Sequence, residues 1–186
     1  RRTFLRRTLG GAVTLTMPLA GSFSHALAQS EPVVLARMAQ GTPSDTAQGA
    51  AVVRAPHQVV DYPRILDDPF ALVIVGDDGI QALQSMCDYG SRGSRAFIAL
   101  RSRFAEDQLA AAYERGVRQY VVLGAGLDTF AYRNPYARQG LQVFEVDHPS
   151  TQSWKKIRLE QADIPIPQSA TFVPVDFETQ SLSGQL

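Results

Sequence analysis

Apolar positions along this chain fall into three short runs and one long helical stripe. Tyr120-Val121-Val122-Leu123, then Leu141 to Asp147, then Thr171-Phe172-Val173-Pro174-Val175 read as strands, rich in β-branched and aromatic residues. The first run has no polar break and reads as a strand buried on both faces, as in a parallel sheet. Ahead of it, Ala96 to Arg115 is the strongest helical pattern. Phe97, Leu100, Phe104, Leu109, Ala112 and Tyr113 recur at close to helical spacing, and Gly116 is a stop signal. This helix is expected to pack on the sheet and lead into the first strand. Thr151 to Ala162 reads as a second helix, with Trp154, Ile157, Leu159 and Ala162 as its apolar positions. Weaker helical patterns cover Ala50 to Val60, interrupted by Pro56, and Ile80 to Tyr89. Strands alternating with helices predict an α/β fold with a parallel sheet.

The strand ends carry the candidate chemistry. The first strand runs into Gly124-Ala125-Gly126. Two glycines there permit a sharp turn and a close approach of ligand to backbone, because no Cβ intervenes. Asp128 and Thr129 then read as the start of a helix. Strand, glycine turn and helix start is how a doubly wound fold builds a nucleotide site. The second strand ends in Glu145-Val146-Asp147, and a carboxylate there suits the two hydroxyls of a ribose. Alternation puts Glu145 and Asp147 on one face, so the two compete for that role. The third strand ends in Asp176-Phe177, an acid and an aromatic ring that suit the exocyclic amine and the face of adenine. A dinucleotide loop calls for a third small residue, but Thr129 stands in that place. Asp128 would also set a negative charge where a pyrophosphate sits. The sulfonium and ammonium of S-adenosylmethionine tolerate that acid better.

VVLGAGLDTFAYR, then VFEVDHP, then FVPVDF resemble the leucine carboxyl methyltransferase-like branch of class I S-adenosylmethionine-dependent methyltransferases, in its bacterial group. The upstream segments RAPHQVVDYPRILDDPFA and RSRFAEDQL are similar to that group as well, so the likeness runs from about Val52 to Phe177. The resemblance implies a Rossmann-like, doubly wound sheet, here truncated after about three parallel strands, with a helical cap before it. It implies that Gly124 and Gly126 bracket the methionine part of the cofactor and that Asp147 holds the ribose. Asp176 and Phe177 would then meet the adenine, and Arg103 would reach the cofactor carboxylate. It further implies that Asp61 to Phe70 packs over the cofactor site and helps form the acceptor pocket, with Asp67 and Asp68 weighed as ligands against a plain loop. Arg92, Arg95 and Arg101 read as a solvated helix face.

The reaction expected is an O-methyl transfer. Its acceptor is a carboxylate or other small-molecule oxygen, since an ionised carboxylate needs no general base and the sequence offers no convincing one. His148, at a strand end, reads as structural. Two rival functions are a nicotinamide-dependent oxidoreductase (NAD(P) in the same site) and a non-catalytic cofactor-binding remnant.

Charge narrows the partners. The formal net charge is zero, but residues 1–28 hold four arginines and no acid, which leaves 14 basic against 18 acidic residues in the body. Such a body is a poor candidate for nucleic-acid binding, which needs a basic face. Residues 1–28 read as a twin-arginine-type signal peptide. Arg1-Arg2-Thr3-Phe4-Leu5-Arg6 opens it, Leu9 to Phe23 is too short and broken to span a membrane, and Ala26-Leu27-Ala28 suits cleavage. Export to the periplasm or beyond is the matching expectation. Residues 29–50 then read as a linker, 51–115 as the cap and 116–186 as the first half of the methyltransferase domain. The single cysteine, Cys87, permits no internal disulfide, and three scattered histidines give no metal spacing.

Overall fold

The computed structural model describes residues 44–77, 81, 84 and 91–182. The expected signal peptide, most of the linker, Cys87 and most of the Ile80–Tyr89 pattern lie outside the described residues.

The parallel sheet expected from the apolar runs is present. It has three strands, β1 (Gln119–Leu123), β2 (Gln142–Asp147) and β3 (Ala170–Pro174), in the order β1-β2-β3. The register sets Leu123 beside Val146 and Asp147 beside Pro174, so all three strands end at one rim of the sheet. Among the described residues, four α-helices accompany it: α1 (Asp45–Val60), α2 (Ala71–Val75), α3 (Arg92–Glu114) and α4 (Pro149–Gln161). Helix α4 is the crossover from β2 to β3. His148 caps it, accepting from the Ser150 N–H at Nδ1, and Pro149 occupies its first turn, where no N–H is missed.

Three departures from the sequence pattern have physical causes. Helix α1 starts at Asp45, inside the polar stretch read as linker, because the Ser44 hydroxyl accepts from the Ala47 N–H at 3.3 Å and caps it. It also continues through Pro56. No α-helix follows the glycine turn; two 3-10 turns, Phe130–Tyr132 and Ala137–Gln139, fill the stretch up to β2. Asn134-Pro135 and Gly140, the latter with a positive φ of 92°, leave too short a run for an α-helix. Finally, β1 is not buried on both faces. Tyr120 and Val122 pack inward, whereas Leu123 is 59% exposed, because β1 is an outer strand of this sheet.

Helix α3 behaves likewise. Only Leu109 of its predicted apolar stripe is fully buried; Phe97 and Phe104 are 61% and 62% exposed. The helix packs instead through Ala99 and Arg95. Arg95 forms a two-pronged bond to Asp61, at 2.9 and 2.8 Å.

That pair belongs to a buried anchor at the end of α1. His57 Nε2 accepts from the N–H groups of Ile65 and Leu66, at 3.0 and 3.4 Å. Its proton therefore sits on Nδ1 and is donated to Asp61, at 3.1 Å. Asp61 thus receives donors from two elements, and Arg95 first of all holds its pKa down at about 2. A carboxylate whose folded pKa lies below its ordinary value stabilises fully above about pH 4 and loses that contribution as pH falls through about 2. Urea titrations from pH 5 to pH 2 should therefore show a steeper acid loss of stability in the parent than in Asp61→Asn. Parallel losses in the two proteins would contradict the assignment.

Candidate functional site

The site grows from the turn after β1. Gly124 and Gly126 have φ values of 65° and 46°, which a residue with a Cβ adopts only under strain. The N–H groups of Gly124 and Ala125 donate to the Val146 carbonyl at 2.8 and 3.2 Å. The Gly126 N–H donates to Asp147 Oδ2 at 2.6 Å, and the Asp128 N–H closes the turn on the Ala125 carbonyl at 2.8 Å. The turn is therefore sewn to the end of β2. It does not present a fan of free N–H groups at a helix N-terminus, which is what a pyrophosphate requires.

Two cavities meet at Gly124. One, of about 310 Å³, is lined by Gly124, Asp147, His148, Asp176 and Phe177, at the ends of β2 and β3. The other, of about 270 Å³, lies between the turn, α1 and α3, with Arg54, Arg101, Ser102, Tyr120, Gly126 and Asp128 among its lining residues. A Cβ at Gly124 would meet nothing within 4 Å, so the divide between the cavities is bare backbone. An apolar groove of about 710 Å³, between α1 and the start of α3, shares Ala50, Ile98 and Arg101 with the second cavity.

Five of the six sequence-predicted residues line these cavities. Gly124 and Gly126 form the turn. Asp147 is half-buried; it accepts from Gly126 and, at 2.7 Å, from the His148 N–H, which still leaves acceptor sites on its carboxylate. Asp176 is half-buried and held below its ordinary pKa, first by the Glu178 N–H and next by the Thr179 hydroxyl. Phe177 is 54% exposed beside it.

Arg103 is the exception. Its guanidinium points away from both cavities and bonds Asp107 one turn on, at 2.8 Å. Position 101 faces the turn instead, because α3 presents Ile98, Arg101, Ser102 and Ala105 on that side. The arginine series is thus divided by helical phase. Arg92 donates to the Tyr62 carbonyl, Arg95 is buried on Asp61, Arg101 lines the cavity and Arg103 lies on the outer surface. The expected solvated face holds for Arg92 and Arg101, both exposed, and fails for the buried Arg95.

Glu145 is removed from competition with Asp147. It is buried, ion-paired with Lys155 at 2.8 Å, and accepts from the Tyr132 hydroxyl at 2.8 Å. Burial raises its pKa, against the lowering effects of Lys155 and Tyr132. His148 serves as a helix cap, with Nδ1 and the Ser150 hydroxyl 2.7 Å apart.

Sequence reasoning missed Arg54 and did not foresee the buried bonds of Asp68. Arg54 is buried on α1 and donates to the Leu127 carbonyl at 2.7 Å. Its signal was available: a cation on the helix face that also carries Ala51, Val52 and Ala55, all buried. Asp68 has no exposed side-chain surface, which removes it as a direct ligand, and Asp67 is exposed and paired with Arg64.

Comparison with known proteins agrees with this geometry. The leucine carboxyl methyltransferase family profile matches residues 47–186, and the chain belongs to that family. It is 51% identical over 77 residues to a Bacillus subtilis (strain 168) protein named "Putative S-adenosyl-L-methionine-dependent methyltransferase YktD", covering 41% of this chain and 25% of that protein. Proteins carrying the same description without the final symbol are found in Mycobacterium marinum and Mycobacterium tuberculosis H37Ra. They are 38% and 30% identical, over 59% and 70% of this chain and 39% and 46% of their own lengths. The chain thus spans less than half the length of each of these curated relatives.

The two glycines separate backbone strain from steric contact. Alanine at 124 meets only the left-handed conformation, at a cost of roughly 1–2 kcal/mol. Alanine at 126 bears the same cost and also brings a Cβ to 2.9 Å from the Ala47 Cβ of α1. Chemical denaturation should rank Gly126→Ala below Gly124→Ala in stability. Equal losses would mean that α1 does not rest on the turn.

Proposed function

We propose that this chain carries the cofactor site of an S-adenosylmethionine-dependent O-methyltransferase. One observation supports this most directly: two cavities join over the bare backbone of Gly124, with Asp147 at the edge of one and Asp128 and Arg101 in the other. A nucleoside joined to a charged amino acid has that division. The reading assigns ribose to Asp147 and adenine to the rim at Asp176 and Phe177. It assigns the methionine part to the Gly124–Gly126 turn, with Asp128 near the cationic groups and Arg101, rather than Arg103, near the carboxylate.

When bound, adenosylmethionine supplies a methyl group activated on sulfur. The chain's own share is alignment and exclusion of water. A carboxylate acceptor is already ionised, so it asks for no proton transfer. Among the described residues, the cavity beside α1 has no histidine, lysine or cysteine in its lining. The adjoining apolar groove suits an acceptor with an apolar body. The nicotinamide alternative is disfavoured by the turn's N–H groups, which bond β2.

Calorimetry on the full-length protein tests the reading. S-adenosylmethionine and its demethylated product should bind, and NAD should not. Asp147→Ala removes a charged acceptor and should weaken binding by more than about tenfold, or roughly 1.5–3 kcal/mol. Arg101→Ala should weaken it similarly, while Arg103→Ala stays within about twofold. NAD binding without adenosylmethionine binding would reverse the reading.

Export remains our proposal for residues 1–28. Replacing Arg1 and Arg2 with lysine should hold the protein in the cytoplasm with its leader uncleaved. Unchanged processing would defeat the twin-arginine route.

A further inference from the structure

Asp68 is the most connected buried carboxylate outside the cavities. Its Oδ2 accepts from the Thr129 hydroxyl at 2.7 Å and faces Arg54 Nε at 3.2 Å. Its Oδ1 accepts from the Phe70 N–H at 3.2 Å and faces Arg133 Nε at 3.4 Å. Its own N–H donates to Gln58 Oε1 at 2.9 Å, which ties it to the end of α1. Arg133 is anchored in turn on Glu106 of α3, with Nη1 to Oε2 at 2.9 Å.

These bonds converge on the peptide units around Asp128. Thr129, on one side, is held by its hydroxyl directly on Asp68. Leu127, on the other, is held by its carbonyl on Arg54, whose Nε rests on Asp68. Asp128 lies between them with its side chain 27% exposed toward the cavity, and Arg54 Nη1 stands 3.9 Å from its Oδ2. Both neighbours of this half-buried acid are thus fixed by one buried acid 60 residues earlier in the chain.

We propose that Asp68 is a positioning residue: from the cap segment it sets the conformation of Leu127-Asp128-Thr129 and so the presentation of Asp128 to the cofactor. Asp68 touches no ligand. It holds the turn in its binding shape before any ligand arrives, so part of the cofactor affinity depends on a residue outside the sheet. Without the carboxylate, the Thr129 hydroxyl loses its acceptor, and Arg54 loses the anchor that aims it at Leu127. Arg54 is then drawn toward Asp128, the nearest remaining acid. The inference rests on the adenosylmethionine reading for its binding arm alone.

The test uses the full-length protein, isotope-labelled, with S-adenosylhomocysteine as the probe. Asp68→Asn preserves size and removes the charge; Asp67→Asn, on the exposed neighbour, is the control. Asp68→Asn should weaken probe binding by about tenfold or more while unfolding remains cooperative. It should also shift the backbone amide resonances of Gly126, Asp128 and Thr129 without any ligand present, a local signature that a general loss of stability does not produce. Asp67→Asn should change neither. A folded Asp68→Asn protein with probe affinity within about twofold of the parent and unmoved turn amides would overturn the proposal. Should Asp68→Asn fail to fold, Thr129→Val decides, since it deletes only the hydroxyl donor. Weaker binding with a shifted Asp128 amide supports the proposal, and no change in either overturns it. Should the parent not bind the probe, the cofactor reading fails, and the ligand-free amide shifts alone decide the role of Asp68.

Discussion

The bond from the Gly126 N–H to Asp147 is the constraint on which the site depends. A chain leaving the end of a strand must satisfy its next few N–H groups, because an unpaired buried donor costs of order 1–3 kcal/mol. Here β2 accepts the first three, those of Gly124, Ala125 and Gly126, through the Val146 carbonyl and the Asp147 side chain. The consequences are geometric. Turn and strand end become one rigid rim, Gly124 is left bare between two cavities, and Asp147 is fixed with acceptor capacity to spare. The same bonds use up the donors that a phosphate would need, so the structural solution to the turn also narrows the ligand class.

Around that rim, charge is sorted by burial. Asp61, Asp68 and Glu145 are buried, and each is matched to cations. Two of them take arginines, whose planar fork meets a carboxylate at two points, as Arg95 does on Asp61. The third takes Lys155, with the Tyr132 hydroxyl as a second donor. Pairs of this kind stabilise little relative to apolar packing, but breaking one is costly, because the remaining charge stays buried. Their effect is on geometry: Asp61 joins α1 to α3, Asp68 joins both to the turn, and Glu145 joins β2 to α4. The acids that line the cavities are Asp128, Asp147, Asp176 and Glu178.

Much of this was legible in the sequence. The three strands were, because apolar runs bounded by glycine, proline and acid have few other readings. So was the gathering of five of the six candidate residues around the strand-end cavities, because in a parallel sheet a strand's carboxyl end marks the ligand side. Boundaries and phase were less so. Ser44 as a cap lay within a stretch that looked merely polar. Which of Arg101 and Arg103 lines the cavity depends on the rotation of α3 about its axis, and two residues' separation turns a side chain about 200° around a helix. A run of four arginines contains no record of which one faces inward. The stripe of Phe97, Leu100 and Phe104 predicted helix correctly and burial incorrectly, since periodicity establishes an amphipathic element but not what covers it.

The long-range partners were the least legible, and they explain why the cap and the sheet form one site. Asp68 and Thr129 are 61 residues apart, Arg54 and Leu127 are 73 apart, and nothing local in either segment announces its partner. An acid before a proline reads as a helix start, and Asp68 does have a local role just ahead of α2, accepting from the Phe70 N–H. Its second oxygen is what reaches the turn. Because a carboxylate accepts on both oxygens, one residue can end a loop and brace a distant turn at once. The cap segment is therefore more than a cover over a finished site: the turn beneath it takes its shape partly from the acid and the arginine that the cap supplies.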